Sequence, residues 1–329
     1  MCTAVTYATK DHYFGRTFDW EVSYGEKIAF MPRNYPLKFR RIPTMERHYA
    51  LLGMAVVTEN YPLYYDAINE AGLGMAGLNF PNNTDYKAYE EDKYNIAPFE
   101  FIPWILGQCG SVAQAREKLP RINLVKLPFG EKYPLSPLHW IIADKKEAIT
   151  VECVKEGLKV YENPVGVLTN NPPFDMQMFY LNNFIQLSKK EPENRFGEGL
   201  ELVPYSRGMG SMGLPGDWSS ASRFVRAAFT KMNSLSGESE GESVSQFFRI
   251  LGTVEQIRGC VQIGKDKGGQ DQYEISVYTS CGNLDRGVYY YKTYENSCVS
   301  YVDMHREDMD GREIVVYELK REPQFVGQN

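Results

Sequence analysis

Alternation of apolar and polar side chains dominates the first eighty residues. Thr3 to Ala8 and His12 to Asp19 flank a polar turn at Lys10-Asp11, which predicts a β-hairpin. Strand-like runs follow at Lys27–Pro32, Tyr49–Val57 and Leu63–Ile68, and Gly72 to Asn79 (GLGMAGLN) reads as a strand of small residues that permits close backbone approach. The period then changes. Phe99, Phe101, Ile102, Ile105 and Leu106 recur at helical spacing, and Ser111 is placed to cap a helix over Val112 to Leu119. Strand patterns return at His139–Ala143, Ala148–Val154 and Leu158–Tyr161, before a predicted helix from Phe174 to about Leu187. Ser188 to Trp218, rich in Gly, Pro and charge, reads as a long surface excursion ahead of helices near Ala221–Met232 and Ser243–Leu251. Four further strands are predicted at Gln272–Thr279, Gly287–Thr293, Cys298–Met304 and Glu313–Leu319. Runs of strands and runs of helices without βαβ alternation predict an α+β chain of stacked sheets covered by helices. No repeat interrupts the 329 residues, which read as one catalytic domain over 1–329.

Composition narrows the function classes. Lys and Arg total 36 against 42 Asp and Glu, a net charge of -6 with no long basic run, which argues against nucleic-acid binding. No stretch approaches the roughly 18 apolar residues of a membrane span, and MCTAVTYATK lacks the basic and apolar regions of a leader, so a cytoplasmic location is expected. Six scattered cysteines form no CxxC pair and four histidines no HExxH, so neither disulfides, a metal nor any other cofactor is expected. The string Gly208-Met209-Gly210-Ser211-Met212-Gly213 imitates a dinucleotide fingerprint, but no strand precedes it and Leu214-Pro215-Gly216 prevents an immediate helix.

The chemistry concentrates at the start of the chain. Cys2 is small enough for removal of Met1, after which one residue holds both a thiol and a free α-amine. With reference pKa values of about 8.5 and about 7.7–8.0, the amine can take the thiol proton near neutral pH. Position alone favours an ordinary strand residue. Its company adds weight: Arg16 would favour a thiolate and Asp19 could hold the amine, although the two also suit a surface ion pair. Asn79 and Asn170 each end a strand-like run and carry amide donors suited to an oxyanion; Arg223 lies among apolar neighbours at helical spacing. In Thr169-Asn170-Asn171 two asparagines compete, and Asn170 is chosen as the one following threonine.

Taken together, MCTAVTY, YFGRTFDW, NEAGLGMAGLNFP, PFEFIPWILG, LHWIIAD, GVLTNNP, GLPGDWSSASRFVR and YYYKTYEN resemble the choloylglycine hydrolase family of conjugated bile acid hydrolases and penicillin V acylases. The resemblance spans the chain and implies an N-terminal nucleophile hydrolase with a four-layer αββα sandwich. It makes Cys2 the nucleophile, Arg16 and Asp19 its positioners, Asn79 and Asn170 the oxyanion and substrate partners, and Arg223 a support. Asparagine at 79, where penicillin V acylases tend to carry tyrosine, leans the resemblance toward bile salts, whose steroid would meet Trp20, Tyr24, Tyr65 and Phe129. Family members are commonly homotetramers, built partly through a loop such as 188–218. A penicillin V acylase, a noncatalytic steroid-binding relative and an enzyme of N-acyl homoserine lactones are the competing readings.

Overall fold

The computed structural model describes all 329 residues. Its strands in chain order are β1 (Cys2–Ala8), β2 (His12–Trp20), β3 (Lys27–Met31), β4 (Leu51–Thr58), β5 (Tyr61–Asn69), β6 (Gly74–Asn79), β7 (Tyr94–Ile96), β8 (Ile122–Leu124) and β9 (Leu138–Ala143). After these come β10 (Ala148–Val154), β11 (Gly157–Glu162), β12 (Val167–Leu168), β13 (Gln262–Lys265), β14 (Asp271–Tyr273), β15 (Ile275–Asn283), β16 (Val288–Thr293), β17 (Ser300–Asp303) and β18 (Val315–Glu318). Helices α1 (Phe101–Gln108), α2 (Val112–Lys118), α3 (Phe174–Tyr180), α4 (Ser220–Asn233) and α5 (Glu240–Gly252) cover them.

Two sheets carry the architecture. One has six strands in the order β12-β1-β2-β15-β16-β17, the other eight in the order β11-β10-β9-β6-β5-β4-β3-β18. Helices α4 and α5 pack on the outer face of the first sheet, and α1 packs on the outer face of the second, giving the expected α+β sandwich of four layers, αββα. Phe14 and Tyr278 from one sheet meet Ile28, Leu52 and Ile68 from the other in a single apolar core. The small residues of β6 matter here: a Cβ on Gly74 would lie 2.7 Å from Cδ1 of Phe14, so glycine is what lets the facing ring seat.

A polar link crosses this core. Asp66 on β5 accepts hydrogen bonds from Tyr278 Oη at 2.7 Å, Tyr289 Oη at 2.6 Å and Ser280 Oγ at 2.9 Å, all on the opposite sheet. Burial pushes its carboxyl pKa up, while Arg16 and the three hydroxyls pull the other way. Nearer the surface, Glu70 accepts a fork of bonds from Arg33 and one from Ala50 N at 2.7 Å. Burial opposes the Glu70 charge, yet the Arg33 and Ala50 bonds win and its pKa falls below the ordinary 4.5. A depressed carboxylate pKa adds stability above the unfolded value and loses it as pH falls through the folded one. Glu70→Gln should therefore cost about 1.5–3 kcal/mol in urea melts at pH 7, and the cost should shrink as pH falls through the folded Glu70 pKa.

Several boundaries differ from the sequence reading. The helix at Phe174 ends at Tyr180 and gives way to a 3-10 turn over Leu181–Phe184, because Phe179 and Ile185 point to solvent and, beyond Tyr180, only Leu181 still packs on the core. The predicted strand Gln272–Thr279 is divided: β14 pairs with β13 in an outlying hairpin, while β15 starts at Ile275 and runs through the core to Asn283. Helix α5 begins at Glu240, earlier than its apolar pattern implied, because Ser239 and Glu242 form a capping box. Ser111 caps α2 as expected, its Oγ accepting from Gln114 N at 3.3 Å. Gly208 to Gly213 forms only a 3-10 turn at Met209–Ser211, with no strand before it.

Candidate active site

The antiparallel register of the first hairpin sorts its side chains. Cys2 lies opposite Phe18, Thr3 opposite Thr17, and Ala4 opposite Arg16. Paired residues share a face, so Cys2, Arg16 and Phe18 face the second sheet while Thr3, Thr17 and Asp19 face α4. On the inner face the Arg16 guanidinium is fully buried and donates to Gly77 O at 2.5 Å and Tyr65 O at 3.3 Å, both on the opposing sheet. Its Nη2 has no protein partner. Burial works against the Arg16 charge, but Cys2, Tyr278, Asp66 and Asp19 outweigh it and hold the pKa above the ordinary value.

On the outer face α4 delivers Arg223, also fully buried, from its first turn. Asp217 organises that turn by accepting from Ser219 N at 2.9 Å and Ser222 Oγ at 2.5 Å, bonds that hold its pKa at about 2. Arg223 then donates to Cys2 O at 2.6 Å, Thr3 Oγ1 at 2.6 Å, Asn170 Oδ1 at 2.8 Å and Trp218 O at 3.1 Å. Its guanidinium stands 3.8 Å from the Asp19 carboxylate, which also accepts from Thr17 Oγ1 at 3.0 Å and Ser276 Oγ at 2.5 Å. Burial raises the Asp19 pKa, and Arg223 with the chain amine offsets part of that rise.

Asn170 closes the arrangement. It follows β12, the edge strand beside β1, and its Oδ1 accepts from Cys2 N at 2.8 Å. Its Nδ2 donates to Asn79 O at 2.7 Å, Ser220 Oγ accepts its N–H at 2.8 Å, and Gln177 Nε2 donates to its carbonyl at 2.6 Å. Asn171 turns away, giving its Nδ2 to Pro81 O at 2.7 Å. Of the two asparagines, only Asn170 thus reaches the Cys2 nitrogen. The Asn79 side chain makes no hydrogen bond to protein and lines the cavity that Cys2 opens into. The Met1 amine donates to Asp19 O at 2.6 Å and pairs with Glu274; burial lowers its pKa, Arg223 and Arg16 add to that, and Cys2 and Asp19 oppose it.

The cavity holds about 230 Å³ and is mostly apolar, with Trp20, Tyr24, Tyr65 and Phe129 all on its wall. Trp20 Nε1 donates to Tyr24 Oη at 2.8 Å, and Phe129 packs edge-on against Phe99 at 5.2 Å. The structure thus brings all ten candidate residues to one site. Sequence reasoning missed Ile102 and Trp140 on the same wall, because their helical and strand periodicity reads as plain core. It also missed the polar residues Thr3, Thr17, Ser276, Gln177 and Ser220, for which no local pattern gives a signal. No group of three or more His, Cys, Asp or Glu residues is disposed to hold a metal ion.

Two facing sheets between helical layers, with Cys2 opening the first strand, make the fold of the N-terminal nucleophile hydrolases. A penicillin V acylase from Agrobacterium tumefaciens, 18% identical, shares the fold at a TM-score of 0.75, covering 96% of this chain and 91% of that one. Residues 2–317 match the profile of the linear amide C–N hydrolases, choloylglycine hydrolase family, and the chain belongs to that family. It is 54% identical, over the full length of both chains, to a bile salt hydrolase/transferase of Lactiplantibacillus plantarum. The crystal structure of a C2A mutant of the conjugated bile acid hydrolase from Clostridium perfringens superimposes with a TM-score of 0.90 at 37% identity, covering 100% of each chain.

Proposed function

We propose that this hydrolase cleaves the amide joining a bile acid to glycine or taurine, with Cys2 as nucleophile once Met1 has been removed. The observation that carries the reading is the placement of Cys2 at an apolar cavity, with its nitrogen on Asn170 Oδ1 at 2.8 Å and its carbonyl on Arg223 at 2.6 Å. The curated relative at 54% identity, named a bile salt hydrolase/transferase, supplies the substrate class.

In the proposed cycle the steroid fills the cavity and brings the scissile carbonyl to Sγ. The amine of mature Cys2 takes the thiol proton. The thiolate adds to the carbonyl carbon. Asn79 Nδ2, free of protein partners, donates to the oxyanion, a contact of about 3 kcal/mol. Asn170 takes a different share than the sequence reading gave it: with Oδ1 on the Cys2 nitrogen and Nδ2 on Asn79 O, it orients the base and the Asn79 strand end. The ammonium returns its proton to the departing glycine or taurine nitrogen, and water hydrolyses the thioester. Asp19 acts through Arg223. Replacing that water with a free amine would form a new amide; the relative's name includes transferase as well as hydrolase.

The chain is also proposed to work as a cytoplasmic homotetramer of single-domain subunits. Segment 188–218 supports an assembly role, since Phe196, Val203 and Tyr205 are 82%, 82% and 83% exposed. No helix is long and apolar enough to cross a membrane.

The test is direct. Purified protein of confirmed intact mass, with Met1 absent, should release glycine or taurine from bile conjugates and release much less 6-aminopenicillanic acid from penicillin V. Preference for penicillin V would move the reading to the acylases; binding without turnover would make the chain a steroid-binding relative.

A further inference from the structure

His139 and Glu152 face each other across β9 and β10, both fully buried, and neither has a part in the chemistry above. The imidazole Nδ1 lies 3.0 Å from Glu152 Oε1, and Nε2 lies 2.8 Å from Thr169 O, the carbonyl joined to the nitrogen of Asn170. A carbonyl can only accept, so Nε2 must carry a hydrogen whichever member of the pair holds the shared proton. Phe80 stacks on the ring at 4.2 Å with planes 4° apart and fixes its plane.

We propose that His139, oriented by Glu152, is a positioning residue that sets the depth of Asn170 at the Cys2 nitrogen through the Thr169 carbonyl. The inference rests on the reading of the Cys2 site given above. Glu152 Oε1 also accepts from Phe174 N at 3.0 Å, so the pair grips the segment from Thr169 to Phe174 at both ends. Asn170 itself is held by Ser220 and Arg223 on α4 and by Gln177 on α3, on the helical side, and its Nδ2 reaches Asn79 O on the eight-stranded sheet. His139 adds the backbone tie to that sheet, at the carbonyl just before Asn170, where Asn79 O holds only the Asn170 side chain. Glu152 Oε2 is buried without a partner. A buried polar pair left partly unsatisfied is a poor way to gain stability, which favours a role in placement.

Crystal structures and kinetics of His139→Asn and His139→Gln test this. Glutamine can place an N–H where Nε2 stands, whereas asparagine is too short to reach Thr169 O. In H139N, Asn170 Oδ1 should leave hydrogen-bond reach of the Cys2 nitrogen and kcat should fall about 10²-fold with KM little changed, the scale of an ångström of misplacement. H139Q should keep the contact and regain most of kcat. If H139N fails to fold, Glu152→Gln serves in its place, with an intermediate fall in kcat expected. An unmoved Asn170 in the variant crystals, or equal kcat in H139N and H139Q, overturns the inference. If the wild type released no glycine or taurine, the proposed function would fail, while the crystal distances would still decide this point.

Discussion

Cys2→Ala should reduce conjugate cleavage by about 10⁴-fold or more, the scale seen when an enzyme loses its nucleophile. Little else should change. Cys2 is 3% exposed within the core, and alanine removes one sulfur atom while keeping the strand register and the backbone contacts of residue 2 with Asn170 and Arg223. Stability in urea should therefore move by only about 1 kcal/mol. Calorimetric titration should show the bile conjugate binding as in the wild type, since the cavity wall is intact. Cys2→Ser keeps an oxygen nucleophile but puts a far less acidic group beside the same amine, and should be nearly as inactive. A preparation that retains Met1 should behave like the alanine variant, because residue 2 then offers an amide nitrogen, which cannot accept a proton. Turnover by such a preparation, confirmed by intact mass, would remove the proposed base.

The hairpin, the small-residue strand and the helices on either sheet were legible because each depends on a local period: two for a strand, 3.6 for a helix. Gly72 to Asn79 is the clearest instance, its small side chains anticipating the seat for Phe14. The site was legible in part for another reason. Cys2, Arg16 and Asp19 sit on one hairpin, so pairing rules bring them near each other. Asn170 is 168 residues away in sequence from Cys2, and only the family resemblance linked them. Gln177 and His139 stayed hidden because their work is to hold backbone carbonyls, a role that any buried polar residue can fill and no spacing announces. The over-long helix at Phe174 has a different origin: helical periodicity is read beyond Tyr180, where only Leu181 still packs on the core and Ile185 faces solvent.

Arg223→Met should cost about 3–5 kcal/mol of folding stability and most of the activity, because it breaks a fully buried ion pair from one side. Methionine fills much of the volume, so the loss is chiefly electrostatic. Asp19 would keep two hydroxyl donors, Thr17 and Ser276, but lose the one cation within 4 Å of its carboxylate, and burial would then drive its pKa higher still. Cys2 O and Asn170 Oδ1 would each lose a charged donor. Adding Asp19→Asn to this variant neutralises the stranded charge, so the double variant should be more stable than Arg223→Met alone. Urea melts of the four proteins give the coupling energy directly, and purely additive losses would show that the two side chains do not compensate each other. Activity should not return with stability. Without the guanidinium, nothing holds the Cys2 carbonyl and the Asn170 amide on a common anchor, and the nucleophile's nitrogen loses its fixed place beside the thiol.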